Sequence, residues 1–149
     1  MGSAANKEVV LSFFDSLSAG KLDAALDMMA DTATWWVAGK RDQFALAGTY
    51  DKAQYTVMLG VIGEAMPSGV QVRITGVTAE GDRVAVEAEV RGESAGGQDY
   101  DNQFHYLLEV RNGKIQAGRE YLDTIHAREV LLDRQPFRWR LHAELLSDH

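Results

Sequence analysis

Two adjacent residues, Asn112 and Gly113, constrain the fold more than any other feature of the chain. They stand between two strand-like segments and tolerate the positive φ that a two-residue type I′ turn demands at both central positions. The arms, QDYDNQFHYLLEVR before the turn and KIQAGREYLDT after it, must therefore pair antiparallel. Strand alternation then puts Asn102, Phe104, Tyr106, Leu108 and Val110 on one face of the first arm. The opposite face carries Asp101, Gln103, His105, Leu107, Glu109 and Arg111 and reads as wet. In the second arm Gly118, Glu120, Leu122 and Thr124 alternate with Ala117, Arg119, Tyr121 and Asp123. Neither of those sets is cleanly apolar, as expected of a curved sheet wrapped around a cavity that holds a few polar groups.

The rest of the chain supplies helices and strands to complete that sheet. Residues 1–5 lack periodicity and read as a frayed start, with Asn6 placed to cap a helix over 7–18 whose apolar face is Val9, Val10, Phe13, Phe14 and Leu17. Gly20 ends it, and a shorter helix over 22–30 presents Leu22, Ala25, Leu26 and Met29. A strand over 32–38 sets Thr34, Trp36 and Ala38 against Trp35 and Val37, and the loop 39–50 reads as a rim over a pocket. Asp51 caps a helix to about Ala65, stopped by Pro67 and Gly69. Strands follow over 70–77 and 83–93, the second with Val84, Val86, Ala88 and Val90 inward. A flexible link, SAGGQD, leads into the hairpin, after which a helix runs from Thr124 to about Leu132 and a second amphipathic segment spans 137–146. Helices grouped around a run of antiparallel strands give an α+β class, with the helices on one face of the sheet.

Composition excludes several kinds of function. A chain of 149 residues is most simply one domain and can bury a core without staples. With no cysteine, disulfides, thiolate metal sites and cysteine nucleophiles are all ruled out. The net charge of -7 argues against nucleic-acid binding, which needs a basic surface. No apolar leader and no membrane-length run is present, so the expected setting is cytoplasmic, with no membrane partner. The sequence contains no phosphate-binding glycine loop and no GxSxG elbow, and His126 with Glu129 has no third clustered ligand, so no cofactor and no metal are expected.

Three stretches carry a family resemblance. REYLDT followed by a helix, DTATWWVAG with LAGTY, and FFDSLSAGKLDAALDMMA together resemble the SnoaL-like and ketosteroid-isomerase-like branch of the nuclear-transport-factor-two-like superfamily, over roughly residues 6–132. The resemblance implies a strongly curved antiparallel sheet with helices packed on its concave face around a cone-shaped pocket. The whole chain is then a single SnoaL-like domain with a helical extension at about 137–146. It also implies an apolar small-molecule ligand and a homodimer. The last is consistent with Leu107, Ala117 and Tyr121 among the charges of the outer hairpin face.

The candidate site follows from strand parity and the resemblance together. Glu120 is the candidate catalytic residue: it shares a face with Leu122 and the small Gly118, and its position matches the general-base carboxylate of limonene epoxide hydrolases. Apolar walls would strip its solvation and raise its pKa toward a useful range. The alternative role is an ionic link to Arg119 or Arg128. Trp36, Asn102 and Tyr106 are expected to line the pocket and bind the substrate oxygen, with Phe13, Val86 and Leu122 as apolar lining. Asp123 falls on the other face and is expected to cap the following helix. Ala88 and Val90 stand where epoxide hydrolases use charged partners, and WWVAG lacks the isomerase carboxylate, so neither of those constellations is present. The resulting expectation is cofactor-free acid/base catalysis, cyclase- or isomerase-type, on an apolar oxygenated substrate. The alternative is a non-catalytic ligand-binding module with the same pocket.

Overall fold

The structure, a computed structural model, describes residues 2–133. Two helices, α1 (Ser3–Ser18) and α2 (Leu22–Asp27), precede strand β1 (Met29–Val37). A short strand β2 (Gly48–Asp51) leads into α3 (Lys52–Ala65), and β3 (Val70–Glu80), β4 (Arg83–Glu93), β5 (Asp99–Arg111) and β6 (Lys114–Leu122) follow as a meander. The chain then turns into α4 (Thr124–Ala127) and one wide π-helical turn, Arg128–Asp133. All six strands form one curved, open sheet in the order β2-β1-β6-β5-β4-β3.

The β5–β6 hairpin lies near the centre of this sheet, and its turn has Asn112 at φ 54° and Gly113 at φ 72°. Every inward residue expected on β5 is on the covered face, with Leu108 and Val110 fully buried. One side chain is extra: β6 bulges beside Glu109 and Val110, so Ala117 pairs with Glu109 while Ile115 pairs with Val110. The sheet is antiparallel except at one place. β1 runs parallel to β6, with Trp35 beside Gly118 and Val37 beside Glu120, because the chain between them crosses the sheet through α3, β3, β4 and β5.

Asp51 caps α3 as the sequence predicts, accepting from the Gln54 backbone N–H while the Gln54 side chain accepts from the Asp51 N–H, each at 2.8 Å. Other boundaries differ. Residues 3–5 are already helical, so Asn6 lies inside α1 rather than at its cap; it is buried and donates to the Gly81 carbonyl at 3.3 Å. The second helix stops at Asp27 instead of Ala30, because the Ile115 N–H takes the Met28 carbonyl and draws Met29 into β1. The SAGGQD segment closes tightly, the Ser94 N–H donating to the Gln98 carbonyl at 2.8 Å and the Gln98 N–H to Ser94 Oγ at 3.0 Å. The amphipathic segment at 137–146 lies outside the described residues. No described helix is long and apolar enough to cross a membrane.

Helices cover one face of the sheet only. α1 packs across β3 to β6 and α3 across β1 and β2, which buries Val84, Val86, Ala88 and Val90 under α1 and leaves Glu87 and Arg91 in water. Between α1, α3 and the sheet the packing does not close completely.

Candidate active site

The opening is a cavity of about 230 Å³. Its walls are Phe14 of α1, Trp35 and Val37 of β1, Phe44 and Leu46 of the rim loop, Tyr55 and Met58 of α3, and Tyr106, Glu120 and Leu122 of the hairpin. Among the described residues Glu120 is the only charged side chain in this lining.

Glu120 is held from β1. The parallel register sets Trp35 against Gly118, two positions along from Glu120 on the same face, and the indole Nε1–H donates to Glu120 Oε1 at 2.6 Å. Gly118 is required for this approach: a Cβ there would lie 2.2 Å from the Trp35 ring. The space that glycine leaves beside Glu120 is thus filled by Trp35. No ion pair joins Glu120 to Arg119 or Arg128. The first lies on the outer face over Trp36, and the second pairs with Asp133 and donates to the Gln43 carbonyl. Burial pushes the Glu120 pKa up to about 7, and the Trp35 hydrogen bond holds it from rising further.

Two phenols share the cavity with it. Tyr106 is the cross-strand partner of Glu120, so their side chains stand next to each other on the concave face. Tyr55, in the first turns of α3, stacks on Trp35 with ring centroids 4.7 Å apart. Both are almost fully buried, neither hydroxyl has a partner among the described residues, and neither is a fully enclosed polar atom. Their O–H groups therefore open onto the cavity they line. Burial, and after it the charge of Glu120, raises both phenols well above the usual value, so they stay protonated and can donate.

Three of the sequence candidates, Glu120, Tyr106 and Leu122, meet in this lining. Four do not. Trp36 lies on the opposite face of β1, where Arg119 covers its ring at 4.1 Å and Tyr121 meets it edge-on at 5.3 Å. Adjacent strand residues point opposite ways, and the parallel pairing turns Trp35 inward. Asn102 is buried but fully engaged: its amide donates to Tyr100 Oη and the Asp123 carbonyl, both at 3.0 Å, and accepts from the Asp123 N–H at 3.1 Å. It ties β5 to the end of β6, and both of its N–H donors are spent there. Phe13 lies behind the wall, 5.8 Å from the Trp35 ring, and Val86 is buried beside Tyr106 on the neighbouring strand, so Phe14 and Val90 supply the lining instead. Asp123 caps α4 through the His126 N–H at 3.1 Å, as its parity predicts. His126 accepts from the Asp101 N–H at 3.1 Å and stacks flat on Tyr100.

Tyr55 is the functional candidate that sequence patterning misses. It sits in an apolar helical face and reads as core, and only the α3 crossing over β1 brings it into the lining that holds Glu120.

Comparison with known proteins agrees with this architecture. Residues 10–117 match the family model of the SnoaL-like domain. Similar solved structures include TerC co-crystallised with polyporic acid, at 20% identity and TM-score 0.75, covering 85% of this chain and 98% of that one. A putative SnoaL-like polyketide cyclase from Jannaschia sp. CCS1 is 22% identical with TM-score 0.73, covering 90% and 95%. An NTF2-like protein of unknown function from Burkholderia pseudomallei K96243 is 15% identical with TM-score 0.74, covering 88% and 98%. At these identities the likeness is one of fold. No curated protein matches the sequence.

Proposed function

The chain belongs to the SnoaL-like domain family, and from that premise we propose that it acts on an apolar, oxygenated small molecule by cofactor-free acid/base chemistry of the cyclase or isomerase type. The observation that carries this reading is Glu120, the only charged side chain in the lining among the described residues, set in apolar walls with its pKa raised to about 7 and beside two phenols that have no partner among those residues. A general base works best with a pKa close to the operating pH, since it is then ionised and still basic enough to take a proton.

In this reading Glu120 removes a proton from carbon next to a substrate carbonyl, and the electron pair moves onto the carbonyl oxygen. Tyr106 and Tyr55 donate hydrogen bonds to that oxygen as charge develops on it. The enolate then reacts at carbon. It is either reprotonated at a new position by the Glu120 acid or closes a ring on a second carbonyl of the same molecule, whose oxygen then takes the proton back from the Glu120 acid. Trp35 contacts no substrate oxygen, because its N–H is held by Glu120; it positions the carboxylate. The Jannaschia neighbour, described as a putative polyketide cyclase, and TerC, crystallised with polyporic acid, support an oxygenated ligand for this type of cavity.

The test is turnover of enolisable polyketide-like, steroid-like and terpenoid ketones by wild type and Glu120→Gln. The variant should lose roughly 10²-fold or more in kcat, and wild-type kcat/KM should show an acid limb near pH 7. Wild-type rates in the variant would rule out Glu120 as the base.

A further inference from the structure

Among the described residues the cavity carries charge at one end only. Glu120, Tyr55 and Tyr106 lie toward β6, β5 and the start of α3, whereas the opposite end is framed by Leu17, Leu22, Leu59, Ile62, Met66 and Val70; Tyr100, two strands from Val70, has its hydroxyl taken by Asn102. That apolar end is also where the cavity reaches the surface, because Gly20, Leu22, Gly63 and Gly69 line it and are exposed. The length of the cavity follows from α3, which contributes Tyr55 and Gly63 to the lining. From Tyr55 to Gly63 is eight residues of helix, about 12 Å at 1.5 Å rise.

We infer that the ligand is an amphiphile taken in oxygenated end first: its carbonyl meets Glu120 and the two phenols at the closed end, and an extended apolar body lies along the cavity and emerges between the α1–α2 turn and the end of α3. This inference rests on the proposed role of the Glu120 end as the reacting end. Its physical basis is the placement of polar atoms. A ligand in the reverse orientation would set hydrocarbon against one carboxylate and two unpartnered hydroxyls, which then lose their water without replacement. Entry by the oxygenated end gives those groups a partner. The mouth is built open. At Gly20, Gly63 and Gly69 no atom lies within 4 Å of where a Cβ would stand. A side chain at Gly63 would therefore project into free space in the passage rather than into packed core.

That vacancy gives the test. Binding of methyl ketones from butanone to methyl nonyl ketone is measured by calorimetry on wild type, Gly63→Phe and Gly60→Phe. Gly60 is on the same helix, is exposed, and does not line the cavity, and both changes replace a helical glycine, so both variants are expected to fold. In wild type, affinity should rise about fourfold per methylene as the chain fills the cavity. Gly63→Phe should cut that rise short and weaken methyl nonyl ketone tenfold or more relative to butanone, while Gly60→Phe follows wild type. A keto acid carrying its carboxylate at the far end of the long chain should bind within about threefold of the plain ketone, since its charge emerges into water. Loss of the keto acid with retention of the ketone would show that the tail is enclosed and overturn the orientation. An unchanged chain-length profile in Gly63→Phe, or no ketone binding at any length, would overturn it as well. Turnover surviving Glu120→Gln would sink the proposed chemistry and leave the chain-length result standing, so the two ideas fail separately.

Discussion

Glu120→Gln should stabilise the protein at alkaline pH, even as it removes the proposed base. Burial holds the carboxyl pKa at about 7 against an ordinary 4.5. The folded protein thus keeps a proton that the unfolded chain has already released between those values, and stability falls as pH rises through that window and levels off above it. A displacement of about 2.5 units at ~1.4 kcal/mol each amounts to about 3 kcal/mol of destabilisation from the ionised group at pH 8. Gln keeps an oxygen for the Trp35 N–H and points its amide N–H groups at the cavity, so the variant recovers roughly 2–3 kcal/mol. For a domain of this size that is a rise in Tm of roughly 4–12 °C at pH 8. Urea denaturation of both proteins from pH 4.5 to 8.5 reads the effect as a gap that opens with pH. A gap independent of pH, or a wild type that gains on the variant as pH rises, would refute the account of Glu120 as a desolvated acid.

Trp35→Phe removes a hydrogen bond that favours the ionised carboxylate, worth roughly 1.5–3 kcal/mol to a charged group, so the acid limb of any activity should move up by about one pH unit or more, read in the kcat/KM profile. Gly118→Ala drives a methyl into the Trp35 ring and should cost about 1–3 kcal/mol in urea denaturation, with the near-ultraviolet dichroism of the tryptophans changed. Asn102→Ala leaves the Asp123 N–H and carbonyl and the Tyr100 hydroxyl short of a partner, and should lower stability by roughly 1–3 kcal/mol with the pH midpoint of activity unmoved. We propose that the uncovered outer face, where Trp36, Arg119 and Tyr121 stack, mates with a second copy of the chain; sedimentation showing a monomer at micromolar concentration would contradict it.

Much of the fold was legible because its strongest signals are local. The Asn112-Gly113 turn needs positive φ at adjacent residues, and the β5 face needs strict alternation, so hairpin and parity follow from chemistry confined to a few neighbours. The same holds for the Asp51 and Asp123 caps, each closed within three residues. Helix limits were less legible, since Asn6 and Met29 are claimed by Gly81 and by β6, partners far away in the chain.

The site was legible only as far as one hairpin determines it. Parity along β6 places Glu120 on the concave face without knowledge of any other strand, and parity along β5 places Tyr106 beside it. Trp35 and Trp36 pose a different problem, because alternation says that they diverge but not which one turns inward. The flanking residues held a usable signal. Ala33, Trp35 and Val37 form an unbroken apolar set and are all buried, whereas Trp36 shares its face with Thr32 and Thr34, which are exposed. Gly118 held a second signal, because a glycine in a central strand marks a place where something large approaches the backbone. The two signals agree: the glycine faces the cavity on β6, so the aromatic that needs its space must be the one whose strand-mates are apolar. Asn102 failed for the opposite reason. Its parity was right and its side chain is buried, but a buried amide must satisfy its donors and acceptor, and the backbone of Asp123 lies close enough to do so. Facing the concave side is therefore necessary for a ligand contact on this sheet, and a polar group without a partner among the described residues, as at Tyr55 and Tyr106, is what distinguishes the cavity from the core around it.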